Sequence, residues 1–295
     1  MNILTSAAED DRVALASVAI RADAHIGKLL LDAGKLTQTD LERVLALQQD
    51  KNIRFGDAAI KLGLVSGEDI QLALSKQFEY PFVPAGDEHF SPDLVAASAP
   101  HGKVAEALRS VRSELLLRWF KNGHKLLAIS DTKPNEGASY LAANLAVSFA
   151  QMGCRVLLVD ADMRQGNLHE LFKLSPGLGL SDLLAGRVQS IRMQSASPFR
   201  TLSILTRGSQ PPNPAELLTR PAFATVITKV QADFDIVLIV TSPSELGSDF
   251  QPVVAIAGGV LLAARRNLSR LAPLAELKDR IIYTGAEILG AVVLD

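Results

Sequence analysis

Near-continuous runs of Val, Ile, Leu and Ala mark the latter part of the chain: KLLAIS at 125–130, RVLLVDAD at 155–162, TLSILTRG at 201–208, FDIVLIVTSP at 234–243, GGVLLAARR at 258–266 and ILGAVVLD at 288–295. Runs of this kind, lacking the alternation of a half-exposed strand, belong to strands covered on both faces. Helical segments such as SYLAANLAVSFAQMG separate them. The pattern predicts an α/β domain built on a doubly wound, mostly parallel sheet.

The front of the chain follows another rhythm. At an offset of 29 residues, HIGKLLLDAGKLTQTDLERVLALQQ aligns with RFGDAAIKLGLVSGEDIQLALSKQF, two units of 24 residues (25–48 and 54–77) with a five-residue spacer. An internal repeat outranks other sequence signals. Gly27, Gly34, Leu41, Leu45 and Gln48 fall opposite Gly56, Gly63, Ile70, Leu74 and Gln77. Thr37 with Asp40, and Ser66 with Asp69, place a hydroxyl at a helix start and a carboxylate three residues on, a relative of the capping box. Each unit therefore reads as a short helix, a turn and a longer helix, giving a small all-helical N-terminal domain. On pattern alone the glycines could close turns and the aliphatics fill a bundle core, or both could line a ligand site.

Composition narrows the function classes. Thirty Lys and Arg against 32 Asp and Glu leave a formal charge of -2 without a basic arm, so no nucleic-acid partner is expected. The single cysteine, Cys154, excludes an intramolecular disulfide, and His25, His89, His101, His124 and His169 lack metal-ligand spacing. MNILTSAAEDDR is acidic and lacks an apolar run of signal-peptide length, and the longest apolar stretch, 253–264, is short of a bilayer span. A cytoplasmic protein is expected, with a peripheral place at the inner membrane open to it through a partner. The expected organisation is a flexible N-terminus (1–21), the repeat domain (22–84), a Pro-, Ala- and Ser-rich linker (85–103) and the α/β domain (104–295).

The tandem units, each reading hydrophobic-Gly, a second Gly seven residues later, two branched aliphatics and a terminal Gln, resemble the N-terminal domain of MshE-type secretion ATPases, which binds cyclic di-GMP. The resemblance assigns ligand-lining roles to Gly27, Leu30, Gly34, Leu41, Leu45 and Gln48, then Arg54, Gly56, Gly63, Ile70, Leu74 and Gln77. Glycines admit the ribose-phosphate ring, aliphatics cover purine faces and an arginine stacks on guanine. His25 stands where the first motif has arginine and Ala59 where the second has leucine, two departures that bear on affinity.

VAEALRSVRSELLLRWF carries Glu106, Arg109 and Arg112 at intervals of three, on one helix face. That is the pattern of a solvated, salt-bridged face, and it also resembles the subunit-contact motif of bacterial tyrosine kinases, whose head-to-tail contacts close rings. The motifs KPNEGASYLAANLAVSFAQMG, VLLVDADMRQGNLHELF, GLGLSDLLAG, GSQPPNPAELL and FDIVLI occur in that family's order over about 104–295. The resemblance implies a P-loop NTPase-like domain, and the N-terminal extension with SYLAANLA is similar to the EpsG-type subgroup associated with chain-length determinants. It further implies ATP and Mg2+ as cofactors and a membrane polysaccharide co-polymerase as partner, with a homo-oligomer expected from the contact motif.

A phosphate-binding loop needs a lysine reaching the phosphates, a Ser or Thr hydroxyl on Mg2+ and backbone amides at a helix N-terminus. Here the loop reads Pro134-Asn135-Glu136-Gly137-Ala138-Ser139: Gly137 and Ser139 remain for the nucleotide, and Ala138 holds the lysine position. By resemblance Asp160 and Asp162 are catalytic, with Ser139 and Asp160 as the Mg2+ residues; plain solvation of a strand end is the alternative. Val240 replaces the aspartate expected at the end of FDIVLIV. Losing one preorganised charge-stabilising group commonly costs on the order of 10² to 10³ in rate, and two compound unless they act as a unit. The expected protein is a regulatory pseudokinase of exopolysaccharide biosynthesis whose helical domain senses cyclic di-GMP. The alternative is an active ATP-dependent tyrosine autokinase using Lys133 or Lys173. The tyrosines, Tyr80, Tyr140 and Tyr283, form no autophosphorylation cluster in sequence.

Overall fold

The computed structural model describes residues 26–77, 80–83, 87–100, 102–190 and 193–295, so residues 1–25, His25 among them, lie outside the described residues. The chain divides into two compact units, 1–84 and 85–295.

In the first unit the repeat is reproduced in three dimensions. Helix α1 (26–32) and α2 (Gln38–Lys51) form one copy, α3 (Phe55–Lys61) and α4 (Gly67–Gln77) the other. Thr37 Oγ1 accepts the Asp40 amide while Asp40 accepts the Thr37 amide, and Ser66 with Asp69 repeats both bonds. Gly34 and Gly63 end the short helices at φ +67°, where an L side chain is strained. A Cβ on Gly27 would stand 2.8 Å from Leu41 Cδ1, and one on Gly56 3.2 Å from Ile70 Cγ2, so each copy uses a glycine to bring its two helices together. Leu30, Val44, Phe55, Ala58 and Ala59 fill the core between them.

The second unit carries a seven-stranded sheet of order β3-β4-β2-β5-β1-β6-β7. The strands are β1 (Leu126–Ser130), β2 (Val156–Asp160), β3 (Gln194–Ala196), β4 (Phe199–Leu205), β5 (Ile236–Val240), β6 (Gly259–Arg265) and β7 (Glu287–Leu294). Every pairing is parallel except β3 with β4. The six apolar runs each yield a strand, whereas short β3, with the polar sequence QSA, has no such signature. Its helices are α5 (Val95–Ser98), α6 (Lys103–Arg118), α7 (Ala138–Ala150), α8 (Leu168–Leu171), α9 (Leu180–Leu184), α10 (Pro214–Thr219), α11 (Pro221–Val230), α12 (Phe250–Ala257) and α13 (Leu271–Ile282). From β1 the chain builds β2 to β5 on one side of the sheet and β6 and β7 on the other, which leaves a crevice at the carboxyl ends of the central strands.

The expected linker 85–103 is corrected in its described part. Residues 87–100 belong to the α/β unit: Phe90, Leu94, Ala96 and Ala97 are buried. Phe90 meets Phe172 and Phe199 edge-on. Asn144 on α7 accepts the Ala96 amide at 2.9 Å, and Gln151 donates to the Ala96 carbonyl at 2.8 Å. Small alanines look like a connector in sequence, but they pack because partners far along the chain supply both the surface and the hydrogen bonds.

Candidate functional site: a phosphate loop with its charges rearranged

The loop from β1 to α7 turns its polar groups on itself. Gly137 adopts φ +114°, and a Cβ there would meet Leu294 Cδ1 at 2.3 Å, so only glycine fits. Glu136 is fully buried; its Oε2 accepts the amides of Thr132 (2.9 Å) and Lys133 (3.1 Å) and the Thr132 hydroxyl. Asp131 Oδ2 accepts the amide of Ala138 at 3.1 Å, while its Oδ1 is buried without a partner. Burial, reinforced by the charges of Glu136 and Asp162 against the help of the α7 amides, pushes the Asp131 carboxyl up to about 7. The helix end that would receive a phosphate is thus capped by the chain's own carboxylate. Ala138 contributes only a buried methyl.

The β2 end supplies the other acids. Asp160 is fully buried, accepts the Leu168 amide at 3.2 Å, and has an Oδ1 without a partner. Burial and the Asp162 charge push it up to about 7. Gly166 covers it so tightly that a Cβ would stand 2.4 Å from Asp160 Oδ1. Asp162 is held by the amides of Arg164 and Gln165 and by the Ser242 hydroxyl, each at 3.0 Å. Asp160 lies in register opposite Val240, which is 1% exposed.

A cleft of about 650 Å³ opens above these elements, lined on the loop side by Asp131, Asn135, Gly137, Ala138 and Ser139 and on the far side by Asp162, Thr241 and Arg265. Val104, Ala107, Leu108 and Val111 of α6 form its apolar wall. Asp160 does not line it, and among the described residues no three of His, Cys, Asp and Glu stand together as a metal-binding group. The residues present do not fit the family's Mg2+ arrangement: Ser139 lies on the cleft, but its expected metal partner Asp160 lies beneath it.

No family model matches the chain. It is 30% identical over 200 residues to CapB of Staphylococcus aureus, a protein named among the tyrosine-protein kinases; the alignment covers 68% of this chain and 88% of CapB. The chain belongs to the bacterial tyrosine kinase family. EpsB of Ralstonia solanacearum, which is named in the same way, is 31% identical over 269 residues, 88% of this chain and 36% of EpsB. The chain therefore spans about a third of that relative's length. The kinase domain of Escherichia coli tyrosine kinase Etk superposes with a TM-score of 0.65 at 30% identity, covering 68% of this chain and 79% of that domain. The P-loop NTPase-like fold is thus that of a bacterial tyrosine kinase domain.

Within this kinase fold the expected residues are only partly brought together. Gly137, Ser139 and Asp162 share the cleft. Lys133 pairs with Glu245 at 3.6 Å, and neither Lys133 nor Lys173 lines the cleft. Arg109 bonds Glu106 and the Pro100 carbonyl, and Arg112 donates to the Ser148 carbonyl at 2.8 Å, so both arginines of the expected contact motif brace their own unit. In the helical unit, Gly27, Leu30, Gly56 and Ile70 serve the core, Gly34 and Gly63 close turns, and Leu41, Gln48 and Leu74 are half-buried. Gln77 Oε1 is buried without a partner, whereas Leu45 and Arg54 are exposed. Sequence reasoning missed Asp131, Glu136, Gly166 and Arg265. Asp131 had a visible signal, a carboxylate inside a loop expected to hold phosphate; Arg265 had none, because nothing in sequence ties the end of β6 to that loop.

Proposed function

We propose that this family member is a regulatory pseudokinase of exopolysaccharide production, similar to the EpsG-type chain-length determinants, with an α/β unit that docks to a membrane polysaccharide co-polymerase and a helical unit that binds cyclic di-GMP. The observation that carries the reading is the loop itself: Ala138 fills the lysine position, and Asp131 caps the amide that a phosphate would occupy. Phosphoryl transfer is catalysed almost wholly by positioning and electrostatics, so an alanine and a capping carboxylate remove what the reaction needs. Val240 takes away a further charge beside Asp160. Among the described residues no helix is long and apolar enough to cross a membrane, which fits attachment through a partner.

The test is incubation of the full chain with γ-labelled ATP and Mg2+. Phosphate transfer at least about a thousandfold below that of a kinase relative is expected; transfer at the relative's rate refutes the reading. The alternative, an active ATP-dependent autokinase controlling polysaccharide chain length, is favoured by the retention of Ser139 and Asp162 on the cleft, and it requires tyrosine labelling that Asp162→Asn abolishes. The dinucleotide arm is tested by calorimetry on the full chain. Heat of cyclic di-GMP binding is expected, weakened by Arg54→Ala because Arg54 stands exposed at the start of α3. Absence of heat removes this arm alone.

A further inference from the structure

A half-buried guanidinium stands beside the phosphate loop with nothing to bind. Arg265 ends β6, its Nε is buried without a hydrogen-bond partner, and among the described residues its side chain makes no ion pair. Its Nη2 lies 3.7 Å from the point where a Cβ on Gly137 would stand, which places the guanidinium against the loop's turn. Arg164 pairs with Asp249 and Lys133 with Glu245, which leaves Arg265 and Lys103 as the cations that line the cleft. A partly desolvated charge without a partner is costly, and an anion in the cleft would remove that cost. Arginine also suits a diphosphate, because its planar fork donates two parallel hydrogen bonds.

One wall of the cleft fits the base of such a ligand, and the carboxylates of Asp93, Asp131, Asp162 and Asp295 elsewhere in the lining confine the diphosphate to the Arg265 side. Val104, Ala107, Leu108 and Val111 offer an apolar wall to a planar base, and the Ser139 hydroxyl lines the loop side. Asp160, which would face a metal in the family, is sealed below Gly166. We propose that Arg265 substitutes from β6 for the lysine missing at Ala138 and holds the diphosphate of a nucleoside diphosphate bound without a metal ion. The inference rests on Ala138 leaving the loop without a lysine at that position, but not on the chain being silent as a kinase, so a turnover assay and the experiment below fail independently.

The experiment is calorimetric titration of the full chain with ADP, in EDTA and again in Mg2+. Binding of equal strength in both is expected, weakened in Arg265→Ala by on the order of ten- to a hundredfold, as for loss of a charge-assisted hydrogen-bonded pair. Arg265→Lys should recover part of the loss, and Lys133→Ala should match the wild type. Trp119 fluorescence checks that each variant is folded; if Arg265→Ala is not, Arg265→Gln replaces it. Equal affinity of wild type and the arginine-less variant, an absolute requirement for Mg2+, loss of binding in Lys133→Ala, or no ADP binding at millimolar concentration each overturns the proposal.

Discussion

Replacing Asp131 by asparagine isolates the electrostatic cost of the carboxylate that caps α7. Asparagine keeps an oxygen to accept the Ala138 amide and removes the ionisable group. The carboxyl moves from an ordinary 3.8 to about 7 on folding. Between those two pH values the folded chain holds a proton that the unfolded chain has released. Stability therefore falls as pH rises through the window and levels off above about 7. At about 1.4 kcal/mol per unit, a shift of roughly three units is worth about 4 kcal/mol at most. Asp160, raised for the same reason, is present in both proteins and cancels from the difference. Asp131→Asn should therefore match the wild type near pH 4 and exceed it by about 2–4 kcal/mol at about pH 8. Urea unfolding followed on Trp119 measures this directly, because it is the only tryptophan and is buried in the α/β unit. A difference that stays constant across that pH range refutes the account of Asp131 as a protonated cap.

Other outcomes follow from particular contacts. Gly259→Ala would set a Cβ 2.4 Å from the Trp119 ring, and urea titration should show a loss of about 1–3 kcal/mol. Thr37→Ala and Ser66→Ala each remove one half of a reciprocal cap and should cost about 1 kcal/mol, seen as faster hydrogen exchange at the Asp40 and Asp69 amides respectively. Ala138→Lys alone should leave phosphate transfer from labelled ATP far below that of a kinase relative, because Asp131 and Val240 remain; recovery of the relative's rate would show that the lysine was the only deficit.

The sequence by itself determined the periodic features of this protein. A run of apolar residues becomes a strand buried on both faces wherever it lies, so the strands of the parallel sheet, with the exception of β3, were legible. The 29-residue repeat likewise dictated two matched helix pairs, down to the caps at Thr37 and Ser66 and the left-handed turns at Gly34 and Gly63, since these depend on neighbours a few residues away. That positions 138 and 240 carry the uncharged residues Ala138 and Val240 could be read directly as well. Tertiary structure alone decided what depends on residues far apart. It turned the alanines at 96 and 97 from linker into core by setting them on α7, and it made Gly27 and Gly56 packing residues. It also brought Arg265 from the end of β6 to Gly137 and enclosed Asp160 beneath Gly166. Burial and partnership are properties of the folded surface, and one-dimensional spacing does not encode which distant side chain fills a given gap.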